Sequence, residues 1–517
     1  MIAKKNKVFY ALLGVLLISL GRASWLWYLA PVSAVCGYAL LWLSVSSLPK
    51  KRFLALWALF SSVNLIHLTW LLSHPFLYII AVWIALSFLF ALPYALISLR
   101  IISTPLSFAR TIGYAALLCL VEWGFTCLPC GFSFQTAALH LSWSPFSLQL
   151  SSICGAIGLS FFVFLTNLSF YSWIHHSSPG AYTLFLVLFP YFVGGGIHIY
   201  KTAEQSSFDR STPKLQIALY HTEELPDVLS HLSPYELHEY KWQQIFHHTA
   251  HMKGSGKLDL IVFPEAVVPY PAESQLFQSS KLPHDFSYKK GEALLSSLEL
   301  AHLIAHFHNA PILIGLESQH MEGSTNSCFF VSPTCPHIKR YDKQLLLPFG
   351  EYIPFAPLQS FLKAYGVYGS FFPGKETKLF DTYNLRVAPL ICYEETFPLY
   401  TEKAALLNPT CLVSLNNDGW FPDSRLKIEH FEQARLRAVE SGKPFIRSCN
   451  KGRSGVIDAL GQSLYTEKEG CWITRLSSYS SFSPFLFVGT TNVALFFLFV
   501  FFLSFSVAPS VNTPNTK

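Results

Sequence analysis

Three expected strand ends in this sequence carry a residue that can do chemistry, and two of them close an apolar run. Leu258–Phe263 runs into Pro264-Glu265, placing a carboxylate where a buried strand stops. Ala388–Ile391 runs into Cys392-Tyr393-Glu394-Glu395, placing a thiol in the same situation. Between them, Tyr341-Asp342-Lys343 supplies an amine, and Leu347–Pro354 carries a further carboxylate, Glu351. A cysteine that attacks an acyl carbonyl requires a base for its proton, cationic or amide donors for the developing oxyanion, and a proton for the leaving group. Glu, Lys and Cys brought together from three strand ends meet these needs with no metal and no cofactor.

Each residue also has a plainer reading. A lone cysteine at a strand end is usually a small buried hydrophobe. A Glu after Pro caps the next helix or faces solvent, and a loop lysine is a solvated charge. His247-His248-x-x-His251 puts two imidazoles on one helix face, as some metal sites do; no HExxH accompanies it, and it reads as a solvated face. Cys127-x-x-Cys130 has the spacing of a redox or zinc motif but lacks a second pair and a βαβ context. It reads as small apolar residues at a helix end, and the eleven cysteines do not form a disulfide framework.

The elements that must position the three strand ends are visible as texture. Leu215–Tyr220, Leu258–Phe263, Pro311–Leu316, Val387–Cys392, Thr410–Leu415 and Pro444–Ser448 are short apolar runs of the kind formed by buried strands. Pro234–His251, Lys290–Asn309 and Lys427–Ser441 have helical spacing. This alternation predicts an α/β domain over residues 214–473, with reactive groups at the carboxyl ends of its strands.

Residues 1–200 are different. They contain nine Lys/Arg and a single acid, Glu122, leaving 28 Lys/Arg and 30 Asp/Glu for residues 201–517. Spanning a hydrocarbon core takes about 20 apolar residues per helix. Spans are expected near 8–21, 25–46, 53–72, 76–98, 111–128, 156–174 and 182–200, with one more over 484–508. The predicted layout is therefore an N-terminal bundle (1–200), a linker (201–213), the α/β domain (214–473), a second linker (474–483), a last span (484–508) and a tail (509–517). Lys4, Lys5 and Lys7, then Lys50-Lys51-Arg52, then Arg100 and Arg110 fall on alternate loops. The positive-inside rule puts these in the cytoplasm and the α/β domain outside. The α/β part has no basic run to track phosphates, which argues against nucleic-acid binding.

The motifs around the strand ends carry a resemblance. Phe263-Pro264-Glu265, Lys343 with Pro348-Phe349-Gly350-Glu351-Tyr352-Ile353-Pro354, and Ile391-Cys392-Tyr393-Glu394 resemble the carbon–nitrogen hydrolase (nitrilase) superfamily. Within it, the pattern is most similar to the apolipoprotein N-acyltransferases. Asn416-Asn417-Asp418-Gly419-Trp420-Phe421, the run from His430 to Glu440, and Asn450-x-Gly452-x-Ser454 agree with that pattern. The resemblance implies a helical membrane bundle of about eight spans plus an αββα sandwich. It implies Glu265 as general base, Cys392 as nucleophile and Lys343 as the cation for the tetrahedral intermediate. Glu351, Tyr393 and Glu394 would support them, without metal or cofactor.

It further implies a two-step reaction in a bacterial inner membrane, with the catalytic domain on the periplasmic side. Cys392 would take a fatty acyl group from a phospholipid, and the α-amine of a lipoprotein's diacylglyceryl-cysteine would accept it. Departures are Leu219-Tyr220-His221-Thr222 in place of Gln-x-Asn, Leu345 where many relatives carry His, and Gly419 for a common Ala. Residues 361–372 form an aromatic-rich loop expected to touch lipid and gate acyl entry.

Two other readings are open to the sequence. A membrane-tethered amidase would use the same three residues with water as acceptor. A transporter with a degenerate domain would place ionisable groups inside its spans, whereas this bundle offers only Glu122 as an acid.

Overall fold

The computed structural model describes residues 6–22, 26–128, 131–176, 179–223, 232–286, 293–321, 323–335, 337–353, 371–382 and 385–506. The chain divides into two compact units. One is Met1–Ile199 with Asp423–Arg425 and Phe487–Lys517, and the other is Tyr200–Pro422 with Leu426–Leu486.

The first unit is built from apolar helices. Among the described residues six are long and apolar enough to cross a membrane: Trp27–Val45, Arg52–Ser73, Tyr78–Ser103, Phe108–Cys127, Ser151–His175 and Gly180–Ser211. Asn6–Leu20 and Thr490–Ser506 are shorter apolar helices. They follow the expected order of spans. The expected 484–508 span is shorter, because Gly489 takes a φ of 77° and separates Pro484–Val488 from Thr490–Ser506. Between Cys127 and Ser151 the described chain folds into two short helices, Leu139–Ser142 and Pro145–Gln149.

Irregular backbone at such a place must find internal partners. Glu122 Oε1 accepts from the Ala137 N–H at 2.8 Å. The Phe134 carbonyl accepts from Arg22 Nη1 at 3.3 Å and lies 2.8 Å from His67 Nε2. The lone acid of the bundle thus holds backbone in place.

The second unit is a four-layer sandwich. Its first sheet has the spatial order β14 (Gly470–Leu476), β1 (Leu215–His221), β2 (Leu260–Val262), β5 (Ile312–His320), β6 (Gly323–Val331) and β7 (Lys339–Asp342). The second runs β13 (Ser463–Thr466), β12 (Ser454–Ile457), β11 (Phe445–Asn450), β10 (Cys411–Asn417), β9 (Arg386–Ile391) and β8 (Phe380–Asp381). A small hairpin pairs β3 (Gln275–Gln278) with β4 (Leu294–Ser296). The inner strands β1, β2 and β5, and likewise β9, β10 and β11, pair in parallel.

Alternation along each strand creates the layers. Ile217 and Leu219 of β1 pack with Val262, Val387, Val413 and Leu415 in a core between the two sheets. Ala218 and Tyr220, on the opposite face, join Trp242, Ile245 and Phe246 of helix Pro234–Ala250 and Leu300 and Ile304 of helix Ser297–His308. The outer face of the second sheet is covered by Ala404 and Ala405 of helix Pro398–Leu406 and by Phe431, Ala434 and Ala438 of helix Leu426–Ser441. Both helices on the first sheet start with capping boxes, Ser233 with Glu236 and Ser296 with Glu299.

The expected linker 201–213 is helical as far as Ser211. Its polar residues mark the end of the apolar stretch and not of the helix, since Lys, Ala, Glu and Gln are good helix formers. Glu204 Oε2 accepts from Tyr479 Oη at 2.9 Å, Gln205 Nε2 donates to Asp458 Oδ2 at 2.9 Å, and Ser477 Oγ donates to Asp209 Oδ1 at 2.5 Å. The second expected linker, 474–483, begins later, because β14 extends to Leu476.

Candidate active site

Glu265 follows β2, where the chain leaves the sheet through Pro264. Gly315 of β5 permits this turn: a Cβ there would lie 2.6 Å from Glu265 Cα. Asn450 Nδ2 donates to the Glu265 carbonyl at 2.7 Å, and Thr222 Oγ1 donates to Asn450 Oδ1 at 2.6 Å. Thr222, one of the departures from the family pattern, is therefore integrated into the backbone of the site.

Lys343 follows β7, its N–H donating to the Asn326 carbonyl at 2.9 Å. Its Nζ lies 3.0 Å from Glu265 Oε1 and 2.9 Å from Glu351 Oε1. Asn326 Nδ2 donates to the same two oxygens, at 2.7 Å each. Glu351 Oε2 accepts from the Leu347 N–H at 2.6 Å, which orients that carboxylate toward the lysine. Lys343, Glu265 and Glu351 are only 2%, 4% and 5% exposed, so water hardly screens this cluster. Burial, opposed by Lys343 and reinforced by the Glu351 charge, holds the Glu265 carboxyl above the ordinary range. Burial would lower the Lys343 ammonium, yet Glu265 and Glu351 override it and keep it well above its usual value.

Cys392 begins a single helical turn directly after β9, with φ of 50°. A left-handed residue with a side chain costs on the order of 1–2 kcal/mol, and the surroundings hold it there. Glu394 accepts from the Ile391 N–H at 2.7 Å, the Gln344 N–H at 2.5 Å, the Leu345 N–H at 3.2 Å and Tyr341 Oη at 2.8 Å. One carboxylate thus ties the turn after β9 to the turn carrying Lys343. Burial pushes Glu394 up to about 7 against the pull of these donors. Tyr393 packs edge-on against Phe397, with ring centroids 4.9 Å apart.

The Cys392 thiol is held well above its usual pKa by burial and then by the Glu265 charge, while Lys343 and the Asn417 N–H pull it down. The thiol is therefore the resting form. A base adjacent to the thiol and a cation adjacent to the base can generate a thiolate only as it is consumed, the arrangement that nucleophilic acyl chemistry requires.

The structure brings Glu265, Lys343, Glu351, Cys392 and Glu394 into one region. Asn326 and Arg447 escaped the sequence reading. The signal for Asn326 was a polar run, Ser324–Ser327, leading into the apolar half of a buried strand. Arg447 stands alone in the apolar run of β11. His251 Nδ1 turns back to the His247 carbonyl at 2.7 Å, as on an ordinary helix face. Cys130, and residues 361–370 of the aromatic loop, lie outside the described residues.

Residues 229–480, which contain Glu265, Asn326, Lys343, Glu351, Cys392 and Glu394, match the carbon–nitrogen hydrolase family. That stretch, just under half of the chain, is a carbon–nitrogen hydrolase domain. It is similar to a protein of Chlamydia pneumoniae named apolipoprotein N-acyltransferase, with 27% identity over 489 residues covering 89% of this chain and 88% of that one. The Chlamydia trachomatis protein of the same name is 26% identical, over 88% of this chain and 87% of its own length. Similarity of this extent reaches beyond the hydrolase domain into the apolar helices.

Proposed function

We propose that this protein is a membrane acyltransferase that moves a fatty acyl group from a phospholipid, through a thioester on Cys392, to the α-amine of a lipoprotein's diacylglyceryl-cysteine. The observation that carries the reading is the buried Glu265–Lys343–Glu351 cluster beside Cys392, in a chain that also has a bundle of apolar helices.

In the first step Glu265 takes the Cys392 proton as sulfur attacks the phospholipid ester carbonyl. Lys343 stabilises the oxyanion, and the proton passes to the departing lysophospholipid oxygen. In the second, the amine attacks the thioester and Glu265 takes the amine's proton. The sulfur then leaves to regain a proton as the amide forms. Glu351 holds Lys343, and Glu394 with Tyr393 holds the turn at the nucleophile. Both substrates are anchored by acyl chains, so an enzyme with membrane helices meets them by lateral diffusion. The relatives' name supports an amino acceptor, and the alternation of basic loops supports an inner-membrane protein with its catalytic domain on the periplasmic side.

The test is incubation of the detergent-solubilised chain with labelled phospholipid. A hydroxylamine-sensitive adduct is expected, absent from Cys392→Ala and persisting until a lipopeptide amine is added. Rapid loss to water would assign an amidase instead, and absence of any adduct would overturn the reading.

A further inference from the structure

Behind Cys392 lies a second buried ionic cluster that the proposed reaction does not use. Glu395, three residues after the nucleophile, has Oε1 2.8 Å from Arg447 Nε and 3.0 Å from His430 Nε2. Asp418 has Oδ1 2.7 Å from His430 Nδ1 and Oδ2 3.3 Å from Arg447 Nη2. All four side chains are almost completely buried. Asn416 Nδ2 donates to Glu395 Oε2 at 3.3 Å, and Arg447 Nη1 donates to the Arg453 carbonyl at 2.8 Å.

Both nitrogens of His430 face carboxylates, so only the imidazolium suits the site. Burial and Arg447 oppose that charge, but Asp418 and Glu395 raise His430 to about 9. Burial would raise the two carboxyls, yet Arg447 and His430 hold Glu395 below its ordinary value and Asp418 far below. Two anions and two cations therefore cancel. The cancellation matters because Asp418 is one of the charges that Cys392 feels, alongside Glu265 and Lys343. Asn417, whose backbone N–H pulls the thiol down, is the residue before it. Gly452 lets this corner close, since a Cβ there would lie 2.1 Å from Asp418 Oδ2.

We propose that Glu395, Arg447, Asp418 and His430 form a charge-balanced floor behind the nucleophile, in which His430 and Glu395 act as positioning residues of opposite electrostatic sense for the Cys392 thiolate. With His430 neutral, the floor carries one net negative charge and disfavours the thiolate. With Glu395 neutral, it carries one net positive charge and favours it. The inference rests on Cys392 being the reacting group.

The experiment is alkylation of the full-length chain in detergent by iodoacetamide at pH 7.5, followed on the tryptic peptide Val387–Lys403, whose one cysteine is Cys392. Iodoacetamide is uncharged, so the rate reports the thiolate fraction. His430→Gln is expected to slow alkylation and Glu395→Gln to accelerate it, each by about 3- to 10-fold, the effect of roughly half to one pKa unit. The double variant restores neutrality and is expected to return toward the wild-type rate. A purely structural cluster would move both single variants in the same direction, and that result, or no change in either, would overturn the inference. Should His430→Gln fail to fold, Glu395→Gln alone decides: acceleration supports the charge balance, and an unchanged or slower rate refutes it. Alkylation needs no acyl donor. Opposite shifts in a protein that never forms an acyl adduct would leave this inference standing and remove the proposed function.

Discussion

The Lys343 ammonium lies 3.0 Å from Glu265 Oε1, with both side chains all but removed from solvent. Such a pair is stable only as a set, because each charge is costly to bury alone. Glu351 adds a second anion, 2.9 Å from Nζ on another side, so one cation serves two carboxylates. Lys343→Met would leave those carboxylates facing each other with no counter-cation between them. Unfolding in detergent is expected to show a loss of about 3–5 kcal/mol, together with loss of the acyl adduct. A variant of wild-type stability would show that the lysine does not hold the cluster together.

Asn326 donates its amide to both carboxylates, so it fixes where Glu265 points and satisfies the buried oxygens. Asn326→Ala is expected to lower single-turnover acylation by about 10- to 100-fold and stability by about 1–3 kcal/mol, the cost of unsatisfied buried acceptors. Asn326→Asp, which adds a third carboxylate, should be the more damaging. If Asp proves as active as Asn, the electrostatic account is wrong.

Gly315 separates activity from stability. A Cβ at this position meets the Glu265 Cα and the Pro264 carbonyl, each at 2.6 Å. Gly315→Ala should therefore push Glu265 out of line, costing about 1–3 kcal/mol of packing and a larger share of the acylation rate. Equal acylation by the two proteins would show that Glu265 tolerates the displacement.

His430 predicts a pH dependence of stability. Its folded value of about 9 lies above the ordinary 6.5. Its contribution is fully present below about pH 6.5 and is lost as pH rises through about 9, amounting to about 3 kcal/mol. Melting temperatures measured from pH 6 to 10 should fall over that window in wild type and much less in His430→Gln. Parallel curves for the two proteins would rule it out.

Phe371 and Phe372 end the aromatic loop. Phe371 N–H donates to the Glu351 carbonyl at 3.1 Å and Phe372 N–H to the Ser324 carbonyl at 2.9 Å, while the Phe372 ring lies half exposed against Gly323. Replacing both by Ser should keep the backbone bonds and the fold but slow phospholipid turnover several-fold. Unchanged turnover would assign them to packing.

The sequence was most legible where one strand carried its own signal. β1, β2, β5, β9, β10 and β11 are buried along most of their length, so their apolar residues cluster and stand out. Edge strands such as Ser463–Thr466 and Lys339–Asp342 are partly exposed, and their mixed composition does not separate them from loops. Helix Gly180–Ser211 was misread at its end for a related reason. Hydropathy reports where an apolar environment stops, whereas a helix stops where its backbone loses partners.

Local sequence alone determined the apolar helices and the ends of the two buried strands on which Glu265 and Cys392 stand, whereas Lys343 was marked only by the motif around it. It also determined the type of chemistry those side chains could perform. Only the tertiary structure decided that Asn326 joins Glu265 to Glu351, that Thr222 and Asn450 hold the Glu265 carbonyl, and that His430 and Arg447 neutralise Asp418 and Glu395. A residue's type and its neighbours in sequence set its intrinsic charge and conformation. Which charge it faces across two sheets depends on strand order and register, and those are fixed only when both faces are buried.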